Sequence, residues 1–121
     1  MSESTAGSAS PAYGYMRIFS DAPDRQVREM ECRLRAFADH LGLYLVTVYQ
    51  EVVSGSIAEF DELCRELERA DAQDVIVLSL RHLSPHEVLQ AAMVERLLLG
   101  VDASVHALTD HRPATSAQEE A

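Results

Sequence analysis

The sequence has no lysine and no tryptophan. All ten of its basic residues are arginine, set against twenty acidic residues, for a formal net charge of −10. Without an amine side chain, Schiff-base chemistry, Walker-type phosphate loops and the lysine of phospho-receiver domains are all excluded. A chain this acidic repels nucleic-acid phosphates at long range, so unaided binding to duplex DNA is expected to be weak. Glycine is sparse, with five residues, and no glycine-rich run forms a dinucleotide cradle. The two cysteines, Cys32 and Cys64, fall on or near apolar helix faces and are expected to be reduced core thiols rather than a disulfide. No apolar run approaches the roughly 20 residues of a membrane span. The longest is Leu97-Leu98-Leu99 with its neighbours. The opening MSESTAGSASPA has neither a basic start nor an apolar core, so no signal peptide is expected. A cytoplasmic location away from membranes is the corresponding expectation.

What remains is an ordinary single domain. The chain has 121 residues, 47% of them hydrophobic. That is long enough to bury roughly two thirds of its unfolded surface without a staple. Residues 1–12, rich in Ser, Ala and Gly, and residues 111–121 read as disordered tails flanking a folded unit over 13–110. Within that unit strand and helix signals alternate. Tyr13–Phe19 reads as a strand. A helix follows, with Val27, Met30, Leu34, Phe37, Ala38 and Leu41 on one face and Gly42 as its stop. Leu43–Tyr49 reads as a buried strand. Ser56 and Glu59 have capping-box spacing ahead of a helix whose apolar face holds Ile57, Phe60, Leu63, Cys64 and Leu67. Val75–Leu80 is another short apolar strand. Ser84 and Glu87 repeat the capping-box spacing, with Pro85 at the first helical position and Leu83 and Val88 as a hydrophobic staple. Gly100 ends that helix, and Val101–Ala107 is the last strand. The alternation predicts a three-layer α/β/α domain with a four-stranded parallel sheet.

In such sheets ligands bind at the carboxyl ends of the strands. Three segments therefore hold the candidate site. Arg17 precedes Ser20 after the first strand, an arrangement that suits phosphate chemistry, with the serine attacking and the guanidinium neutralising charge. The plainer reading is a Ser or Asp cap on the next helix. Ser54-Gly55 after the second strand can hold an anion or simply turn the chain. His82 and His86 after the third strand do not share a helical face, because the predicted helix begins between them. They are read as surface histidines rather than metal ligands, with His82 a possible acid or base. No cofactor or metal is expected.

Taken together these segments resemble the catalytic domain of the resolvase/invertase serine recombinases. The resemblance runs from about Ala12 to Asp110. It is carried by Gly14-Tyr15-Met16-Arg17, by Gly42, by Ser54-Gly55, by Asp74-Val75-Ile76-Val77, by Leu83-Ser84 and by Gly100-Val101. The family reads Gly-Tyr-x-Arg-Val-Ser-Thr, then Ser-Gly followed by Arg-Pro, then Asp-Arg-Leu-Ser-Arg. On that pattern Arg17 and Ser54 are retained, and the catalytic serine falls on Phe19. Ser20 stands where the family commonly has threonine. The family's arginines fall on Ile57, His82 and Pro85.

The resemblance implies serine attack on a DNA phosphodiester, a covalent phosphoserine link and strand exchange. That chemistry needs several arginines around an anionic transition state. Loss of three would forfeit roughly 10⁶-fold or more, the terms not being additive. The expected function is therefore a recombinase-like domain inactive in strand exchange. It would act through protein contacts, with itself as a homodimer or with a full-length recombinase. One alternative is an active or accessory recombinase using Ser20 as a displaced nucleophile. Another is an unrelated flavodoxin-like binding module. The family's DNA-binding module and long dimerisation helix would follow the last strand, where this sequence has only its short polar tail. Phe19 is expected to share a strand face with Arg17 and to bury its ring over the former active site, near Ser54 and Leu83.

Overall fold

Short β-branched and apolar runs separated by amphipathic helices build a parallel sheet. The computed structural model describes residues 9–52 and 55–109. The element order is β1 (Ser10–Arg17), α1 (Asp24–His40), β2 (Leu43–Glu51), α2 (Ala58–Ala70), β3 (Asp74–Ser79), α3 (Glu87–Glu95) and β4 (Ser104–Thr109). A 3₁₀ turn (Leu80–His82) follows β3, and a π-helical turn (Arg96–Gly100) extends α3. The strands lie in the order β2-β1-β3-β4, every pair parallel. The expected α/β/α architecture is therefore present. The sequence reading started β1 three residues late, because Ser10–Ala12 join the strand rather than the tail. Residues 1–8 and 111–121 of the two expected tails lie outside the described residues.

The central strands alternate strictly between two apolar layers. Ala12 and Met16 of β1, with Ile76 and Leu78 of β3, pack under Leu34 and Ala38 of α1. Tyr13, Tyr15, Val75 and Val77 point the other way, onto Phe60, Leu63 and Leu67 of α2 and Met93 of α3. Strands covered on both faces are continuous apolar runs, which is why they were legible. Gly14 stands where α1, β1 and β2 come closest. A Cβ there would meet Val48 Cγ2 at 3.1 Å and Leu34 Cδ1 at 3.3 Å.

β2 corrects one expectation. It is an edge strand, not a buried one, and Tyr44 and Val46 are exposed. Its run of apolar residues conceals a bulge: Ala12 pairs with Leu45 but Tyr13 pairs with Thr47, so Val46 is the extra residue. One extra residue reverses the side-chain alternation beyond it. Leu43 and Leu45 face α1 before the bulge, and Val48 does so after it. Tyr49 and Glu51 consequently point to the α2 side, where Tyr49 joins the opposite layer.

The helix ends also differ from the capping boxes read in the sequence. Gly42 does stop α1, at φ +77°. However, α1 begins after Pro23 with no side-chain cap, so neither Ser20 nor an Asp caps it. α2 begins at Ala58, and the backbone N–H groups of Glu59 and Phe60 donate to the Glu51 carboxylate, not to Ser56. Ser56 Oγ accepts from the Ala58 N–H, at 3.1 Å. α3 begins two residues beyond Pro85. Leu83 is buried while Val88 is 82% exposed, so the two form no staple. Cys64 is buried as expected and burial pushes its thiol pKa up, but Cys32 is exposed on α1.

Candidate functional site: a cleft at the strand ends

With the order β2-β1-β3-β4, successive connections diverge between β1 and β3, and a crevice opens at their carboxyl ends. A cleft of about 740 Å³ occupies this place. Its floor is the end of β1 and of β3, with Arg17 and Ser79. Phe60 of α2 and Met93 of α3 close the sides. The 3₁₀ turn brings Arg81 and His82 to its edge.

Arg17 is fixed by the fold rather than by a counter-ion. Its Nη2 donates to the Leu83 carbonyl at 3.1 Å and to the Tyr15 hydroxyl at 3.3 Å, and its Nη1 donates to the Ser56 carbonyl at 3.3 Å. Its backbone N–H donates to His82 Nδ1 at 3.2 Å. None of these acceptors is a carboxylate. The Arg17 Nε is buried with no hydrogen-bond partner among the described residues.

Behind Arg17 lies a buried relay. The Tyr15 hydroxyl donates to Glu51 Oε1 at 2.8 Å, and Glu51, 2% exposed, also takes the first N–H groups of α2. A carboxylate at a helix N-terminus satisfies otherwise orphaned donors and complements the helix dipole. Burial, and then the bond to Glu51, push the Tyr15 phenol well above its ordinary pKa. The bulge in β2 makes this relay possible, since without it Glu51 would face α1. Glu51 was not singled out in the sequence. The available signal was an acidic residue ending an apolar strand shortly before a helix start.

The site residues read from the sequence are distributed unevenly. Arg17, Phe19, Ile57, His82 and Pro85 all line the cleft. The positions where the resemblance placed the nucleophile and three arginines therefore converge on one cavity together with the retained arginine. Ser20 is exposed in the turn after β1 and is not among the lining residues. Ser54 lies outside the described residues. Phe19 departs from expectation. β1 ends at Arg17, so strand alternation no longer governs Phe19, and its ring is 82% exposed at the mouth of the cleft. It does not seal the site.

Three arginines line the cleft: Arg17, Arg81 and Arg96. Arg96 bonds Asp61 at 2.7 Å and lies 5.2 Å over the Phe60 ring. Arg65 lies away from the cleft and bonds Glu62 on the exposed face of α2. Among the described residues no group of His, Cys, Asp and Glu could hold a metal ion. No helix of the described residues is long and apolar enough to cross a membrane.

A parallel β2-β1-β3-β4 order is also that of flavodoxin-type sheets, so topology alone does not separate the two readings. Comparison with solved structures does. The chain has the fold of the serine recombinase catalytic domain, a resolvase-like α/β/α unit. It is similar to the C-terminal catalytic domain of ISC1926 TnpA, an IS607-like serine recombinase, at 15% identity and TM-score 0.67, covering 91% of this chain and 78% of that one. It is likewise similar to the N-terminal catalytic domain of TP901-1 integrase, at 19% identity and TM-score 0.67, over 81% and 76% of the two chains. A resolvase-family site-specific recombinase from Streptococcus pneumoniae matches at 13% identity and TM-score 0.61, over 81% and 71%. No family model and no curated protein matches the sequence.

Proposed function

We propose that this chain is a serine-recombinase-type domain that does not carry out DNA strand exchange and acts through protein contacts. The observation that carries this reading is Phe19. It stands at the cleft two residues after Arg17, where the resemblance places the nucleophile, and a phenyl ring has no atom that can attack phosphorus. Among the described residues the serines lining the cleft are Ser79 and Ser84, and the resemblance places the nucleophile on neither. Ser84 is buried and its Oγ accepts the His86 N–H, as in a turn, at 3.1 Å. Ser20, the displaced nucleophile of the alternative reading, stands outside the lining.

Support for protein contacts comes from α3. Val88 and Leu99, at its two ends, are 82% and 79% exposed, and Leu89 and Leu98 are exposed as well. Large apolar side chains gathered on one helical segment mark interaction surfaces. Such a surface suits a second copy of this chain or a full-length recombinase. The same reading has the protein act in the cytoplasm and calls for no cofactor.

Incubation of the full chain with plasmid DNA, followed by denaturing electrophoresis, tests the catalytic half. No covalent adduct is expected. An adduct that disappears in Ser20→Ala would overturn the reading. Duplex binding measured by anisotropy at physiological salt is expected to be no tighter than the roughly 10⁻⁴–10⁻⁶ M of non-specific association. Light scattering with and without a serine recombinase tests the second half: association is expected, and the pair Val88→Glu and Leu99→Glu should abolish it.

A further inference from the structure

Twenty of the chain's residues are acidic, yet among the described residues no Asp or Glu lines the strand-end cleft. This is the reverse of what a chain with net charge −10 would place there by chance. Instead the lining carries Arg17, Arg81 and Arg96 with His82 and His86. Arg96 is offset by Asp61. The other two guanidiniums are not: Arg17 meets only neutral acceptors, and Arg81 has no acidic partner among the described residues. Arg17 also keeps a buried, unpartnered Nε. A buried charged donor left without a partner is costly and marks a place where another acceptor belongs.

The rest of the lining is apolar. Phe19 and Leu89, 82% and 52% exposed, stand at the cleft, and Ile57, Phe60 and Met93 extend the apolar surface. A volume of about 740 Å³ is within the ordinary range for a small-molecule site. Two guanidiniums that touch no carboxylate among the described residues, beside an apolar wall, fit a ligand that has both characters.

We propose that this cleft binds a small amphiphilic organic anion. Its phosphate- or carboxylate-type head would be held by Arg17 and Arg81, and its aromatic or aliphatic body would lie against Phe19 and Leu89. The Phe19 ring, which cannot serve as a nucleophile, here supplies contact area. The proposal does not depend on the loss of strand exchange, and its test uses no DNA cleavage.

Anilinonaphthalene sulfonate, an aromatic anion whose fluorescence rises in apolar surroundings, is the probe. Titrated into the full chain it should saturate a single site per chain. Arg81→Ala and Phe19→Ser, both at exposed positions that leave the core intact, should each weaken binding about tenfold. Tyr44→Ser, on the exposed edge strand β2 and outside the cleft, should leave it unchanged. Unaltered affinity in both cleft variants, or loss in Tyr44→Ser, would overturn the proposal by locating the dye elsewhere. Displacement by adenosine monophosphate would assign a phosphate head and displacement by dodecanoate a carboxylate head. Displacement by neither would also overturn it.

Discussion

The two faces of the sheet are made from the same strands, yet one is a seal and the other a machine part. Under α1, Leu34 and Ala38 meet Ala12, Met16, Ile76 and Leu78, with polar contact confined to the Gln50–Glu31 bond at 2.6 Å beside it. Under α2 and α3 the apolar layer is larger, but two of its central members are tyrosines whose hydroxyls reach carboxylates. Tyr13 donates to Glu66 at 2.9 Å and Tyr15 to Glu51 at 2.8 Å. The second of these bonds continues to Arg17 and the cleft. Period-two alternation explains both layers, while only the bulge at Val46 explains why the carboxylate of Glu51 is on the side that needs it. A local irregularity on an edge strand thus places the carboxylate that the relay to Arg17 requires.

The comparison can be broken most forcefully on the sealing face. Leu34→Ala removes a fully buried side chain that nothing else replaces, and it should cost about 2–5 kcal/mol in chemical denaturation. If the loss were small, the α1 face would not be the close-packed seal described. On the opposite face Glu51→Gln keeps the volume but replaces one acceptor oxygen by a donor amide, facing N–H groups of α2 and the Tyr15 hydroxyl. It should cost about 1–3 kcal/mol, and Tyr15→Phe in the same background should then cost less than it does alone. Additive losses would show that the two side chains do not act as one relay.

A third test is spectroscopic. Burial and a carboxylate partner raise the Tyr15 phenol above its ordinary value of 10.0. Burial, followed by the bond to Glu66, pushes Tyr13 up to about 12. Folding therefore favours both protonated phenols. That stabilisation is whole below pH 10.0 and is lost as pH rises through the folded-state values. Phenolate absorbance should consequently appear late for these residues in the native protein and at the ordinary pH once it is unfolded in urea. Identical titrations in the two states would sink the claim that this face holds its tyrosines in hydrogen bonds. The smallest effect is expected at Phe19. With its ring 82% exposed, Phe19→Ser should change stability by no more than about 0.5 kcal/mol, not by the loss that a buried ring would give. A larger loss would place the ring inside the cleft rather than at its mouth.

Particular residues show how far the sequence could be read. The alternation of β1 and β3 and the apolar stripes of α1 and α2 follow from the periods of strand and helix, and they fixed the layers and the parallel sheet. Because parallel strands point their carboxyl ends one way, the sequence also pointed to the end of the sheet where the cleft opens, and Arg17, with the Ile57, His82 and Pro85 that the resemblance singled out, lines that cleft. The misreadings share one cause. Ser56 with Glu59, and Ser84 with Glu87, have the spacing of capping boxes, but spacing reports only local partners. In α2 a carboxylate eight residues upstream of Glu59, at the end of another element, takes the N–H groups instead.

What the sequence by itself determined was whatever depends on near neighbours along the chain: element types, the order of alternation, the end of the sheet where the cleft opens, and the acidic balance of the whole. Only the tertiary structure decided that β2 lies at the edge, that a bulge turns Glu51 toward α2, that Phe19 stands open to solvent, and that no Asp or Glu among the described residues lines the cleft. Each of those outcomes depends on which distant segments meet and in what register, and pairing between strands is set by the packing of the assembled layers rather than by any one segment's own pattern.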